Sequence, residues 1–173
     1  MTPTRSLKSR ALRWLAQREQ SRVELRRKLL PHAQSEADDS GEGEGEGEGE
    51  GEGAARVTVE ALLDWLEANK YLSPERFVES RVHARAARFG NLRIRSELKQ
   101  HALALPAEAA QALAATELDR AAQLVGRKFG AALATTSAAR AKQARFLAGR
   151  GFSPDTIRSL LRRTGTASTE VGD

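Results

Sequence analysis

The sequence contains no cysteine, few aromatic residues and no long hydrophobic run. Without cysteine the chain forms no disulfide, offers no thiolate nucleophile and gives a metal ion no sulfur ligand. No stretch approaches the ~20 consecutive apolar residues that a membrane-spanning helix needs. Residues 1–13 also lack the hydrophobic region of a signal peptide. We therefore expect a cytoplasmic protein with no membrane association.

β-Strand patterns are also missing, because no alternating run of β-branched residues is long enough to form a strand. Alanine, leucine, arginine and glutamate dominate instead, and these residues favour helices. The expected fold class is all-α.

Charge is distributed unevenly along the chain. Residues 33–55 carry nine acidic side chains and no basic one, so the rest of the chain has 28 basic and 14 acidic residues. Such an excess of positive charge attracts polyanions, either nucleic acid or an acidic protein surface. The alternative is a solvated basic surface without a particular partner.

Hydrophobic spacing and capping residues predict nine helices. Ser21 and Glu24 form a capping box at the start of helix two, and Pro31 is expected to end that helix soon after Leu30. Thr58 is a plausible N-cap of helix three, and Ser73-Pro74 opens helix four. Pro106 starts an alanine-rich helix six, Leu118 to Phe129 marks helix seven, and helices eight and nine follow, the last one after Ser153-Pro154.

Residues 41–53 alternate glycine and glutamate without exception. Such a segment buries nothing and repels itself, so we expect a disordered insert over residues 34–55. Its glycines match no phosphate-binding loop. An insert that masks the basic surface or mimics nucleic acid is one interpretation, and repeat expansion in a tolerant loop is the other.

Three short helices share one pattern, in which a turn residue is followed by aliphatic residues four and eight positions later. The pattern begins at Ser21, Gly90 and Ser153, and an arginine precedes each (Arg18, Arg88 and Arg150). It predicts three tandem three-helix repeats in an elongated, curved array. The expected limits are 5–72, with the insert at 34–55, then 73–116 and 117–164, with a flexible tail at 165–173. Coincidence among similar helices is the alternative.

Five motifs stand in a fixed order: Ala11-Leu12-Arg13-Trp14-Leu15 with Arg18, Ser21-x-x-Glu24-Leu25-x-x-Lys28-Leu29, Leu63-Asp64-x-Leu66 leading into Tyr71-Leu72-x-x-x-Arg76-Phe77, Arg93-Ile94-x-x-Glu97-Leu98, and Phe146-Leu147-x-x-Arg150-Gly151-Phe152. In this order and spacing, which cover nearly the whole chain outside the insert, they resemble the RecX regulatory proteins of bacteria. The resemblance implies three three-helix repeats and a modulator of the RecA recombinase. It implies binding in the groove of the RecA filament on single-stranded DNA and lower filament extension, ATPase, strand-exchange and coprotease activity. Recombinational repair and the SOS response would be modulated in this way.

The chain departs from the family pattern at three places. Lys70 stands where family members often carry glycine, Ser73-Pro74 replaces a common acidic pair, and the Gly-Glu run is an addition. The first two changes preserve a capped turn. The insert leaves open how the first repeat packs and binds.

No catalytic constellation is apparent, since His32, His83 and His101 are scattered and no acidic cluster has metal-ligand spacing. We expect neither enzyme activity nor a cofactor, and a monomer. Function is expected to reside in a basic face that docks on acidic RecA surfaces and nearby DNA phosphates. Its candidate residues are Arg81, Arg85, Arg88, Arg93, Arg95, Lys99, Arg145, Arg150 and Arg158. The alternative function is a stand-alone DNA- or RNA-binding helical-repeat protein.

Overall fold

A computed structural model describes residues 6–39, 48–130, 134 and 136–166. This part of the chain is all-helical, without a strand, so the predicted all-α class is confirmed. Its eight helices are α1 (Leu7–Gln17), α2 (Arg22–Asp39), α3 (Glu48–Ala68), α4 (Pro74–Ala86), α5 (Asn91–Gln100), α6 (Ala107–Phe129), α7 (Ser137–Gly149) and α8 (Pro154–Thr166).

The chain divides into two compact units, Met1–Phe77 (unit 1) and Val78–Asp173 (unit 2). In unit 1, α2 packs along α3 and α1 packs on α2. The core of unit 1 includes the fully buried residues Leu25 and Leu29 of α2 and Leu63 and Leu66 of α3. These residues recur at i, i+4 and i, i+3, which places each pair on one face of its helix.

Unit 2 is built around α6, which contacts α5, α7 and α8. Its core combines Ala121 and Leu124 of α6, Leu147 of α7, Leu160 of α8 and the turn residue Phe152. The cores of the two units are thus separate hydrophobic clusters.

Side-chain caps start three helices as predicted. The Ser21 hydroxyl accepts from the Glu24 N–H at 3.0 Å, while the Glu24 carboxylate accepts from the Ser21 N–H at 3.4 Å. Ser73 accepts from the N–H of Arg76 at 3.1 Å, and Ser153 accepts from the N–H of Thr156 at 3.2 Å.

The predicted bounds of helices two and three were wrong. Helix α2 continues through Pro31 to Asp39, and α3 begins at Glu48, so Thr58 lies inside α3 and donates its hydroxyl to the Ala54 carbonyl. The prediction of disorder over 34–55 is therefore wrong for 34–39 and 48–55, while residues 40–47 lie outside the described part.

Packing explains why both helices extend into the polar segment. Ala33 of α2 and Ala55 of α3 are buried in the core of unit 1, so the packed segments nucleate both helices. Adding further turns to an existing helix then costs little. Glutamates at the N-terminus of α3 also interact favourably with the helix dipole.

Predicted helices six and seven are one helix, α6, so nine predicted helices become eight in the described residues. No glycine or proline interrupts the sequence from Ala107 to Val125, and alanine supports helix throughout. Helix α8 also reaches Thr166, so the predicted flexible tail is wrong for residues 165 and 166. Residues 167–173 lie outside the described part, and the division into three repeats stays a prediction.

Candidate functional site

Residues of α4 and α5 that lie in unit 2 line an open hollow of about 290 Å³. Arg81 and Arg85 lie one turn apart on α4, and Arg93 lies on α5 facing them. Only polar side chains line this surface, which we call the arginine hollow: Arg81, Arg85, Arg93, Ser96, Glu97, Gln100 and His101.

A single carboxylate joins two of these arginines. The Nε atom of Arg85 donates to Glu97 at 2.9 Å, and the Nε atom of Arg93 lies 3.5 Å from the other Glu97 oxygen. The Glu97 side chain is 15% exposed, whereas those of Arg85 and Arg93 are 33% and 55% exposed. The guanidinium groups therefore extend further into solvent than the carboxylate that pairs with them.

Four guanidinium groups surround the half-buried ring of Phe89 and form what we call the arginine cluster. Their central carbons lie 5.5 Å (Arg85), 5.9 Å (Arg88), 5.8 Å (Arg93) and 5.9 Å (Arg150) from the ring centroid. These distances are at the outer limit of cation–π attraction, which contributes ~0.5–1 kcal/mol at exposed sites. The main consequence is a high local density of positive charge.

Two glycine-containing turns bring Arg150 beside Arg88. The N–H of Gly90 donates to the Arg150 carbonyl at 2.9 Å, and the N–H of Leu92 donates to the Gly151 carbonyl at 3.0 Å. A Cβ on Gly90 would lie 2.3 Å from the Gly151 carbonyl oxygen, and Gly151 has a φ of 77°. Both positions therefore require glycine. The Arg150 side chain also donates to the Arg88 carbonyl at 3.2 Å.

The remaining predicted site residues lie elsewhere on unit 2. Arg95 and Lys99 are exposed on α5 but, at 100° per residue, face well away from Arg93. Arg145 is exposed on α7, and Arg158 of α8 pairs with Asp155. The structure thus brings together five of the nine predicted residues, in the arginine hollow and the arginine cluster. In the described part of the chain, no ion pair or hydrogen bond joins Arg95, Lys99, Arg145 or Arg158 to these five residues.

Sequence reasoning missed a buried polar centre beneath these arginines. The Glu117 carboxylate of α6 accepts from the Asn91 N–H at 2.8 Å, the Ser153 hydroxyl at 2.8 Å and the Thr156 hydroxyl at 2.7 Å. It therefore anchors the N-termini of α5 and α8 together. Although burial opposes ionisation, these hydrogen bonds outweigh it and lower the pKa of Glu117.

Arg120 lies one turn further along α6 and anchors the C-terminal end of α4. Its guanidinium donates to the carbonyls of Ala86 at 2.8 Å and Phe89 at 2.9 Å, and to the Asn91 side chain at 2.5 Å. Burial lowers the pKa of Arg120, and the neighbouring Glu117 carboxylate partly offsets this. The sequence did offer a signal for this centre, because Glu117 falls within the apolar stripe formed by Leu113, Ala121 and Leu124.

The described residues contain no group of histidine, aspartate or glutamate side chains placed to hold a metal ion. Within the same part of the chain, no helix is both long and apolar enough to cross a lipid bilayer. The chemistry that the arginine hollow offers is recognition of oxyanions, because guanidinium groups donate paired hydrogen bonds to carboxylates and phosphates.

Comparison with known proteins gives consistent matches. The family model described as "RecX, third three-helix domain" matches residues 115–161. The chain is 49% identical over 162 residues to "Regulatory protein RecX" of Herbaspirillum seropedicae, covering 92% of each chain. It is 45% identical over 159 residues to the protein of that name from Ralstonia nicotianae, covering 91% of this chain and 87% of the relative. With the Neisseria meningitidis serogroup A protein of that name, identity is 30% over 179 residues and 99% of each chain. The chain therefore belongs to the RecX family of regulatory proteins.

Proposed function

We propose that the chain binds RecA recombinase filaments on single-stranded DNA and inhibits their extension. The proposal includes lower ATPase, strand-exchange and coprotease activity of RecA, and hence modulation of recombinational repair and the SOS response. In it the chain acts in the cytoplasm as a monomer, uses no cofactor and catalyses no reaction itself. Family membership supports the regulatory role.

The arginine cluster around Phe89 is the observation that carries the choice of docking face. The Arg88 side chain is exposed, and no ion pair between described residues involves it, so its charge is available to a bound partner. Arg85 and Arg93 share one carboxylate, Glu97, which leaves their region with an excess of positive charge. RecA carboxylates and DNA phosphates both complement such a surface.

A charge-reversal experiment tests the docking face. We expect the triple variant Arg81→Glu, Arg85→Glu, Arg88→Glu to lose inhibition of RecA-dependent ATP hydrolysis on single-stranded DNA, because repulsion replaces attraction at the same surface. The control carries the same charge change at three exposed positions outside the cluster, Arg13→Glu, Arg27→Glu and Lys128→Glu. Circular dichroism verifies that both variants keep their helices.

The outcomes separate the possible functions. Undiminished inhibition by the folded triple variant at Arg81, Arg85 and Arg88 would contradict the docking face. Equal loss in both variants would indicate a diffuse electrostatic effect. Tight, salt-sensitive nucleic-acid binding by the wild-type chain, with no effect on RecA filaments, would instead support a stand-alone nucleic-acid-binding protein.

A further inference from the structure

The arginine hollow is already occupied by the chain's own carboxylate. Glu97 lies between Arg85 and Arg93 and accepts from the Nε atoms of both, with separations of 2.9 Å and 3.5 Å. A carboxylate bound between two guanidinium groups occupies the positions that an external oxyanion would take.

We propose that Glu97 is an internal counter-ion of a phosphodiester-binding site, and that a phosphate group of single-stranded nucleic acid displaces it from Arg85 and Arg93. This inference rests on the proposed function only in one respect, namely that the single-stranded nucleic acid is the DNA of a RecA filament. The site itself is defined by the hollow between α4 and α5.

The lining of the hollow favours phosphate over an acidic protein surface. Stable protein–protein contacts bury an apolar centre, whereas contacts to a nucleic-acid backbone are made by charged groups, hydroxyls and amides. The hollow offers only polar side chains, and beside the arginines it presents the Ser96 hydroxyl, the Gln100 amide and the His101 ring. No apolar anchor point exists within it.

The surroundings of the hollow favour a strand over a single anion. Arg85 and Arg93 belong both to the hollow and to the cluster around Phe89, and the cluster continues to Arg88 and Arg150. Positive charge therefore extends beyond the volume that one phosphate fills. Successive phosphates of a flexible single strand can contact these guanidinium groups, of which Glu97 pairs with only two, Arg85 and Arg93.

The exposure of the two arginines lowers the cost of displacement. Arg93 is 55% exposed and Arg85 is 33% exposed, so water competes for both guanidinium groups and their pairs with Glu97 contribute little net stability. Glu97 itself is 15% exposed, so its carboxylate has to turn towards solvent when phosphate replaces it. Both arginines can therefore exchange Glu97 for phosphate without disturbing the buried contacts of Ile94 and Leu98 on the same helix.

Binding of fluorescently labelled oligo-deoxythymidylate, measured by anisotropy without RecA over a series of salt concentrations, tests the proposal. We expect Glu97→Gln to bind ~3–10-fold more tightly at low salt, with a dependence of log affinity on log salt that is steeper by up to about 0.7. The matched control is Glu79→Gln, which removes the same charge from an exposed position on the opposite side of α4.

Two further variants and one control extend the test, and Arg81→Gln keeps it decisive if Glu97→Gln is destabilised. Arg93→Gln added to Glu97→Gln should abolish the gain in affinity. Arg81→Gln alone should weaken binding and make the salt dependence shallower, whereas the exposed unit 1 variant Arg13→Gln should change neither as much. Thermal unfolding followed by circular dichroism checks that each variant is folded.

Several results would overturn the inference. Equal gains in DNA affinity for Glu97→Gln and Glu79→Gln would show that the effect comes from the net charge of the chain and not from the hollow. Unchanged DNA binding with altered affinity for preformed RecA filaments would assign the hollow to an acidic protein surface. If Glu97→Gln tightens DNA binding but the chain does not inhibit RecA, the proposed function fails and the phosphate site stands.

Discussion

At the scale of single residues, Glu117 and Arg120 decide the geometry of the candidate site. Glu117 accepts hydrogen bonds at the N-termini of α5 and α8, and Arg120 donates to carbonyls at the end of α4. A carboxylate is suited to a helix N-terminus and a guanidinium to a C-terminus because of the helix dipole. These two side chains thereby fix the turn that carries Phe89 and the arginines around it.

Lys70 is a residue whose backbone conformation conflicts with its side chain. It has a φ of 59° in the turn that ends α3, where the N–H of Tyr71 donates to the Leu66 carbonyl at 2.9 Å. A left-handed residue after a helix is usually glycine, since any other side chain costs about 1–2 kcal/mol there. The departure from the family pattern noted in the sequence therefore carries a cost in stability.

We expect Lys70→Gly to raise the free energy of unfolding of unit 1 by about 0.5–1 kcal/mol. The free energy gained by relieving the left-handed strain is larger than the free energy lost because glycine raises the entropy of the unfolded chain. Urea unfolding followed by tryptophan fluorescence measures this, because both tryptophans, Trp14 and Trp65, belong to unit 1. The control Ala61→Gly, at an exposed position inside α3, should lower stability by a similar amount, and destabilisation by Lys70→Gly would contradict the argument.

At the scale of elements, unit 2 contains a direct backbone contact between two turns in addition to its hydrophobic core. The N–H groups of Gly90 and Leu92, at the turn between α4 and α5, donate to the carbonyls of Arg150 and Gly151 in the turn between α7 and α8. Backbones approach this closely only where no Cβ intervenes. The positions of Arg88 and Arg150 in the arginine cluster depend on this contact.

Gly90→Ala should therefore lower the stability of unit 2 by more than ~2 kcal/mol, because the added methyl group meets backbone atoms that have no room to move. Gly126→Ala is the control, since a Cβ at Gly126 meets nothing within 4 Å and alanine is favoured inside α6 by about 0.5–1 kcal/mol. Urea unfolding monitored by far-UV circular dichroism distinguishes the two. A Gly90→Ala variant as stable as Gly126→Ala would show that the turns are not in contact.

Elements were predictable from sequence where a local signal determines them. The hydroxyls of Ser21, Ser73 and Ser153 cap three helices as their spacing to the following residues indicates. A helix end that depends on packing was not predictable, as α2 demonstrates by passing through Pro31. The single long α6 was missed for a different reason, because its hydrophobic pattern is weak although its alanine-rich sequence supports a continuous helix.

The candidate site was predictable in composition but not in arrangement. The spacing of Arg81, Arg85 and Arg88 on α4 follows from helical periodicity. The approach of Arg150 to Arg88 depends on a turn-to-turn contact across 62 residues, and the bond between Glu97 and Arg85 depends on how α4 meets α5. Neither relation leaves a pattern in a single sequence.

At the scale of the whole molecule, charge is divided between the units. Unit 1 has 12 basic and 15 acidic residues, whereas unit 2 has 16 basic and 8 acidic residues. All nine predicted site residues belong to unit 2. We therefore expect unit 2 to provide any attraction for a polyanion, whereas five charged residues of unit 1 form internal pairs between α2 and α3.

Those internal pairs connect Arg22 and Arg26 of α2 to acidic residues of α3. Arg22 pairs with Glu60 at 2.7 Å, Asp64 at 2.6 Å and Glu67 at 2.9 Å, and Arg26 also pairs with Glu60. The hydrogen bond from Arg26, aided by that from Arg22, lowers the pKa of Glu60 from 4.5 to about 2. A carboxyl group whose pKa is lower in the folded state stabilises the fold above its unfolded pKa and loses this effect as pH falls.

We therefore expect the stability of unit 1 to be constant near neutral pH and to fall progressively from about pH 5 towards pH 2. Glu60→Gln should lower stability at neutral pH and make the decrease over this range shallower, because the group that gains a proton is gone. Urea unfolding by tryptophan fluorescence at several pH values measures the effect in unit 1. Glu79→Gln, in unit 2, is the control and should leave the fluorescence transition unchanged, whereas a Glu60→Gln variant with the pH dependence of the wild-type chain would show that the pairs between α2 and α3 do not contribute.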